Sequence, residues 1–341
     1  MIDSDNIVLK SINFFPEQIK DSFEKSLKLV LPNEYLQIKN IVACGMGGSR
    51  FPHYIIKELF KEEIKVPYLI NDNYNLPGFV DSDTLVILSS YSGTTEEVLT
   101  AGQKAYEKKA KIIGISSGGA LKDFLDKIKA PGYFFDPIFN PSGQPRIGFG
   151  YFIGGIMGLL FNLGVLSFQK KDIFSAIDNI NIIKIENDAK QIAQKVVNKY
   201  PYYIVSEFLT GIGNAIANQT NETAKSISSF RVIPELNHHL MEGLKNPGEL
   251  KKILIFIFFF SKLFSSSIQK RFLITKEIVE KNNIETIWYE LTGKTKVEQA
   301  FKLMAFGNYL TMHLSSLYGE NPSAIPYVDY FKKELRARSS H

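Results

Sequence analysis

A single cysteine, Cys44, is present among 341 residues. No disulfide can form within the chain, which fits a reducing compartment and makes the cytoplasm the expected location. Cys44 lies in the apolar stretch IVAC without a basic neighbour in sequence, so a buried, inert thiol is expected rather than a nucleophile. Charge of one sign is also scarce: the net charge is +5, and no basic run exceeds three residues. Nucleic acid is therefore not an expected partner, while a mildly positive surface favours small anionic molecules. The opening MIDSDNIVLK lacks the basic and apolar regions of a secretory signal. Residues 147–168 carry no charge over 22 positions, long enough to span a bilayer. Six of these residues are glycine, and no basic cluster accompanies Arg146 at the edge, so a buried core helix is expected and no membrane association. His238, His239 and Glu242 lack the HExxH spacing, so no metal site is expected. The last four residues, RSSH, resemble an expression-tag remnant and receive no function.

What is present is an alternation of short apolar runs with longer helical patterns. Strands are expected at Asn40–Cys44, Val66–Asn71, Thr84–Ser89 and Lys111–Ile115, with helices over Phe51–Phe60, about 96–109 and near 120–128. Parallel strands joined by helices imply an α/β, doubly wound sheet. The prolines and glycine of 132–145 predict a loop. In the second half, Ile173–Lys199 predicts one long helix, and PYYIVS a strand. TGIG then predicts a turn into a helix from Asn214 to about Ser228. Ile253–Phe260 and Thr286–Glu290 read as strands, and Phe272–Asn282 and Val297–Tyr318 as helices. The succession strand, glycine turn, helix at 40–60 recurs at 201–228, a weak internal duplication. Two flavodoxin-like domains, 1–165 and 166–341, are expected to pack together.

The sharpest local signal is LSSYSGTTEEVL at 88–99. Ser90, Ser92, Thr94 and Thr95 surround Gly93 between a strand and a helix start. Unpaired N–H groups at a helix N-terminus carry partial positive charge, and hydroxyls aimed at the same point add donors; together they bind a phosphate. Plain helix capping would need one hydroxyl, not four. A second glycine loop, GMGGSR at 45–50, would match a dinucleotide fingerprint only with glycine at position 50, where Arg50 stands. Gly47 and Gly48 instead suit close backbone approach to a small ligand, with Ser49 as a further hydroxyl. QTNETAK at 219–225 and PELNHHLMEG at 234–243 form a third constellation; Glu222 alone would ordinarily be a solvated helix residue.

GMGGS, SYSGTTE, the PR before the apolar helix, QTNETAK and PELNH, in this order, resemble the bifunctional phosphoglucose/phosphomannose isomerases, which contain two sugar isomerase (SIS) domains. The resemblance runs along nearly the whole chain and includes the C-terminal segment with Lys332. It implies that Ser49, Ser90, Ser92 and Thr95 hold a phosphate and that Glu222 moves a proton between C1 and C2. It further implies that Arg146 faces the enediolate and that His238 and Lys332 assist ring opening. In this family the histidine comes from the partner subunit, so a homodimer acting on a hexose 6-phosphate is implied, without a cofactor. The chain departs from the family pattern at Thr94, His239, Asn308, Ser323 and Ala324, which bears on sugar preference. Two alternatives are an amino-sugar-phosphate isomerase and a non-catalytic sugar-phosphate-binding protein. The latter would have no use for Glu222, Arg146, His238 and Lys332 together.

Overall fold

A computed structural model describes residues 6–338. The first part runs α1 (Ile7–Asn13), α2 (Phe15–Ser26), β1 (Asn40–Gly45), α3 (Phe51–Leu59), β2 (Tyr68–Asn71), β3 (Thr84–Ser89), α4 (Glu96–Glu107), β4 (Lys111–Ser116), α5 (Gly119–Ile128), β5 (Gly132–Phe134) and α6 (Gly150–Asn162). The second runs α7 (Lys170–Asp178), α8 (Ile182–Val196), β6 (Tyr200–Val205), α9 (Thr210–Thr223), β7 (Ser229–Val232), α10 (Leu250–Ile253), β8 (Leu254–Phe260), α11 (Ser266–Lys281), β9 (Glu285–Glu290), α12 (Lys296–Tyr318) and α13 (Pro326–Arg338). The RSSH reading falls on residues of which 339–341 lie outside the described part.

Both sheets are wholly parallel, in the orders β2-β1-β3-β4-β5 and β7-β6-β8-β9. The second order repeats the first four strands of the first sheet, so the duplication seen in the pattern is a duplication of topology. TLVILS and LIFIFFF are buried at every position, as strands covered on both faces must be. In each sheet the order reverses between its first strand and its third, the switch point at whose carboxyl ends open α/β sheets form their ligand crevice.

Four expectations need correction. The stretch 173–199 is two helices, because Asn181 ends the first pattern and accepts the N–H of Lys184 at 3.0 Å to cap the second. TGIG is no turn: it lies inside α9, which also stops at Thr223 rather than near Ser228, and the turn before it is the short 3₁₀ segment Glu207–Leu209. Its glycines serve packing. A Cβ on Gly211 would lie 2.5 Å from the backbone N of Ile55, so α9 meets α3 backbone to backbone. The expected 132–145 loop begins with a short strand, β5, paired to β4. The strand β7 was not anticipated; its four residues are all half-buried and mixed in polarity.

The uncharged stretch contains α6, with eleven of its residues buried. No described helix is long and apolar enough to cross a membrane. Gly154 and Gly158 of α6 admit α2 so closely that added Cβ atoms would lie 2.1 and 2.0 Å from Ser22 Oγ and Ser26 Oγ. Those hydroxyls donate to carbonyls within their own helix and across to Gly150 and Gly154, each 3.3 Å away, so the polar atoms buried by this contact are satisfied. The last core helix reaches back to the first: the Tyr309 hydroxyl of α12 donates to Asn13 Oδ1 of α1 at 2.7 Å.

Candidate active site

The loops leaving β1 and β3 meet at the reversal point of the first sheet. Their strands run in register, with Gly45 opposite Ser89. Gly47 has φ +50, a left-handed turn that glycine adopts without strain. The turn brings Ser49 under the second loop, where its Oγ accepts the N–H of Tyr91 at 2.9 Å. Ser90 Oγ and Thr95 Oγ1 share a hydrogen bond at 2.8 Å, and Ser92 Oγ and Thr94 Oγ1 another at 2.9 Å. Thr95 is the N-cap residue of α4, yet its hydroxyl makes no capping bond. Helix capping therefore does not account for the Thr95 hydroxyl. Gly93, at φ +70, lies against the carbonyl of Gly118, so the third loop, after β4, buttresses the second.

Beneath this crevice lies a chain that the sequence did not reveal. His53 of α3 is wholly buried, with Nδ1 2.6 Å from the Tyr68 hydroxyl and Nε2 2.7 Å from Ser89 Oγ. Burial pulls its pKa down to about 3, so it is a neutral imidazole with one donor and one acceptor nitrogen. Cys44 is buried too; desolvation pushes its pKa up to about 12, and it is the inert thiol expected.

Arg146 comes from the loop ahead of α6 and packs against the same crevice: a Cβ on Gly48 would lie 2.9 Å from the Arg146 backbone N. Its carbonyl accepts the Gln219 side-chain amide at 2.9 Å, and Gln219 also donates to Asn308 Oδ1 at 2.7 Å. The guanidinium is only 1% exposed. Its Nε donates to Thr223 Oγ1 at 3.1 Å, and Nη1 to Gln144 Oε1 at 2.8 Å and Glu222 Oε1 at 2.9 Å. Nη2 donates to the carbonyls of Pro322 and, at 3.4 Å, Ser323. Burial lowers the Arg146 pKa, which the neighbouring Glu222 partly offsets; an arginine nevertheless keeps its charge. Glu222, a third exposed, is one turn from Gln219 on α9 and adjoins Thr223, so one helix end supplies three groups to Arg146.

Of the residues singled out in sequence, Ser49, Ser90, Ser92, Thr95, Gly47 and Gly48 lie in the two loops, and Arg146, whose backbone packs on Gly48, forms an ion pair with Glu222. His238, on a 3₁₀ turn, and Lys332, on α13, are exposed, and their side chains make no hydrogen bond or ion pair to a described residue. The reading missed Gln144, Gln219 and Thr223. Gln219 and Thr223 lie within the QTNETAK motif, and Gln144 lies two residues before Arg146.

A family model for the bacterial phosphoglucose isomerase C-terminal SIS domain matches residues 185–335. The chain is 31% identical over 344 residues to the bifunctional phosphoglucose/phosphomannose isomerase of Caldicellulosiruptor bescii, covering 96% of this chain and 98% of that one. It belongs to the bifunctional phosphoglucose/phosphomannose isomerase family. The Thermoplasma volcanium member of that family is also 31% identical, over 92% of this chain and 95% of its own. Among solved structures, the C-terminal domain of glucosamine-fructose-6-phosphate aminotransferase from Francisella tularensis superposes with a TM-score of 0.71 at 14% identity, covering 94% of this chain and 99% of that one. At that identity the likeness speaks for the paired-sheet fold alone.

Proposed function

We propose that this family member interconverts glucose 6-phosphate and mannose 6-phosphate with fructose 6-phosphate through a cis-enediolate. The observation that carries the reading is the ion pair of Arg146 and Glu222, 2.9 Å apart, made by an arginine whose backbone packs on Gly48 of the hydroxyl-bearing loops. The phosphate sits among Ser49, Ser90, Ser92 and Thr95, remote from the reacting carbons, and supplies orientation and binding energy. Gly47 and Gly48 let the backbone approach it. Glu222 takes the proton from C2 of the open aldose and returns it to C1. Arg146 offsets the negative charge on the enediolate oxygen. Hydrogen moves as a proton within one substrate, so this route calls for no redox cofactor. His238 and Lys332 move the proton from the anomeric hydroxyl to the ring oxygen during opening.

His238 serves the site of a second copy in a homodimer. Its exposed position supports this, as do the exposed Tyr327, Tyr330 and Phe331 of α13, apolar surface of the kind found at subunit interfaces. We take the two lobes as 1–165 and 166–341 and place the enzyme in the cytoplasm, a reading supported by the single, sequestered thiol.

Removing the C2 proton erases the difference between the two aldose phosphates, so one base can serve both. The deciding experiment measures kcat/KM for each, converted to fructose 6-phosphate, in the wild type and in Glu222→Gln. Both sugars should react, with a ratio below about 10⁴, and the variant should lose about 10²–10⁴-fold in rate while still binding sugar phosphate. Failure of the wild type on both sugars, or near-normal turnover by the variant, would overturn the reading.

A further inference from the structure

A guanidinium has five N–H donors, and all five of Arg146 are engaged: one by Thr223, one each by Gln144 and Glu222, and two by the carbonyls of Pro322 and Ser323. No donor is left for a substrate oxygen. If Arg146 stabilises an enediolate, one of these contacts must first break. Thr223, Gln144 and Glu222 are side chains held beside it on α9 and on its own loop. The two carbonyls belong to the short segment between α12 and α13, whose Asn321 and Ala324 are exposed. Glu320 is tied back to Ser315 of α12, but residues 321–323, apart from Arg146, have one hydrogen bond to the described chain outside the segment: Lys225 Nζ donates to the Asn321 carbonyl at 2.5 Å and also to the Thr223 carbonyl at 3.1 Å. Ser323 N–H bonds only within the segment, to Asn321 Oδ1 at 2.9 Å. Lys225 adopts φ +52, turning the chain out of α9 so that its side chain bridges the helix end to this segment.

We propose that residues 321–323 form a strap over Nη2 of Arg146, that Lys225 is the positioning residue that latches it, and that the strap lifts when a sugar phosphate binds. The proposal rests on the isomerase reading above for the role of Arg146. Closure lowers apparent affinity, because only the fraction of molecules with the strap raised can bind.

Hydrogen exchange followed over the peptide spanning 317–325 tests it, with and without fructose 6-phosphate, in the wild type, Lys225→Met and Lys225→Gln. In the wild type the ligand should speed exchange at Ser323 and Ala324 severalfold. Without ligand, both variants should already exchange about as fast as the liganded wild type. Their KM should fall by up to about tenfold with kcat within about twofold of normal, and Lys225→Arg should restore the wild-type values. Unchanged or slowed exchange on ligand binding by an active wild type would overturn the strap and leave the isomerase standing. Unchanged exchange in both unliganded variants would overturn the latch, and this comparison holds whether or not the wild type converts any sugar. A wild type that converts neither sugar would sink the isomerase reading instead.

Discussion

Ser49 Oγ accepts the backbone N–H of Tyr91 at 2.9 Å, stitching the loop after β1 to the loop after β3 across the sheet's point of reversal. Both groups are buried. Ser49→Ala leaves the Tyr91 N–H without a partner, which costs about 1–3 kcal/mol. Urea denaturation should show that loss, and titration calorimetry with inorganic phosphate should show weaker binding, since the two loops lose their common anchor.

Gly93 allows no side chain. At φ +70 a Cβ would lie 1.8 Å from the Gly118 carbonyl oxygen, a backbone atom that cannot move without its loop. Left-handed strain alone costs about 1–2 kcal/mol, and the clash adds to it. Gly93→Ala should lower the thermal midpoint by several degrees and abolish phosphate binding, both readable in one melting series with and without phosphate.

His53 gives stability a pH dependence whose sign can be worked out. Its pKa falls from 6.5 unfolded to about 3 folded. Between those values the unfolded chain binds the extra proton, so stability rises with pH through the window and is lost as pH falls below 6.5. The slope approaches about 1.4 kcal/mol per pH unit. His313, pulled down to about 4 by burial, adds a second contribution of the same sign. Chemical denaturation at pH 7 and pH 5 should show a smaller stability difference for His53→Gln than for the wild type, even though the variant is weaker at pH 7.

The partner-supplied histidine is tested by mixing. Glu222→Gln and His238→Ala chains should each be inactive alone. After subunit exchange, heterodimers contain one site with both native residues if His238 crosses the interface, and activity should return. Absence of recovery, once exchange is verified by mass-tagged subunits, would mean that each site is built from one chain.

The hydroxyl cluster was readable in sequence because it is local: Ser90, Ser92 and Thr95 are neighbours in the chain, and the flanking apolar run and helix pattern fix their place. The strands were readable for the same reason, since TLVILS and LIFIFFF are continuous apolar runs. Arg146 was named only through family resemblance, and Glu222, though part of the QTNETAK constellation, took its role only from that resemblance. Their meeting depends on α9 packing backbone to backbone on α3 at Gly211, a contact between residues far apart in sequence. TGIG was misread on similar grounds, because glycine signals a turn locally but here answers to a neighbouring helix. The Tyr68–His53–Ser89 chain carries no sequence signal at all. It exists because β2, α3 and β3 converge on one face of the sheet.

The Tyr309–Asn13 bond joins residues 296 positions apart. Translation delivers Asn13 well ahead of Tyr309, so α1 emerges long before its partner has been made. A nascent chain halted ahead of α12 would present α1 without that partner and with the faces of α8 and α9 bare. Products that stop there should therefore be visible to chaperones and proteases as incomplete, while a chain that has reached Tyr309 and joined α12 to α1 should not.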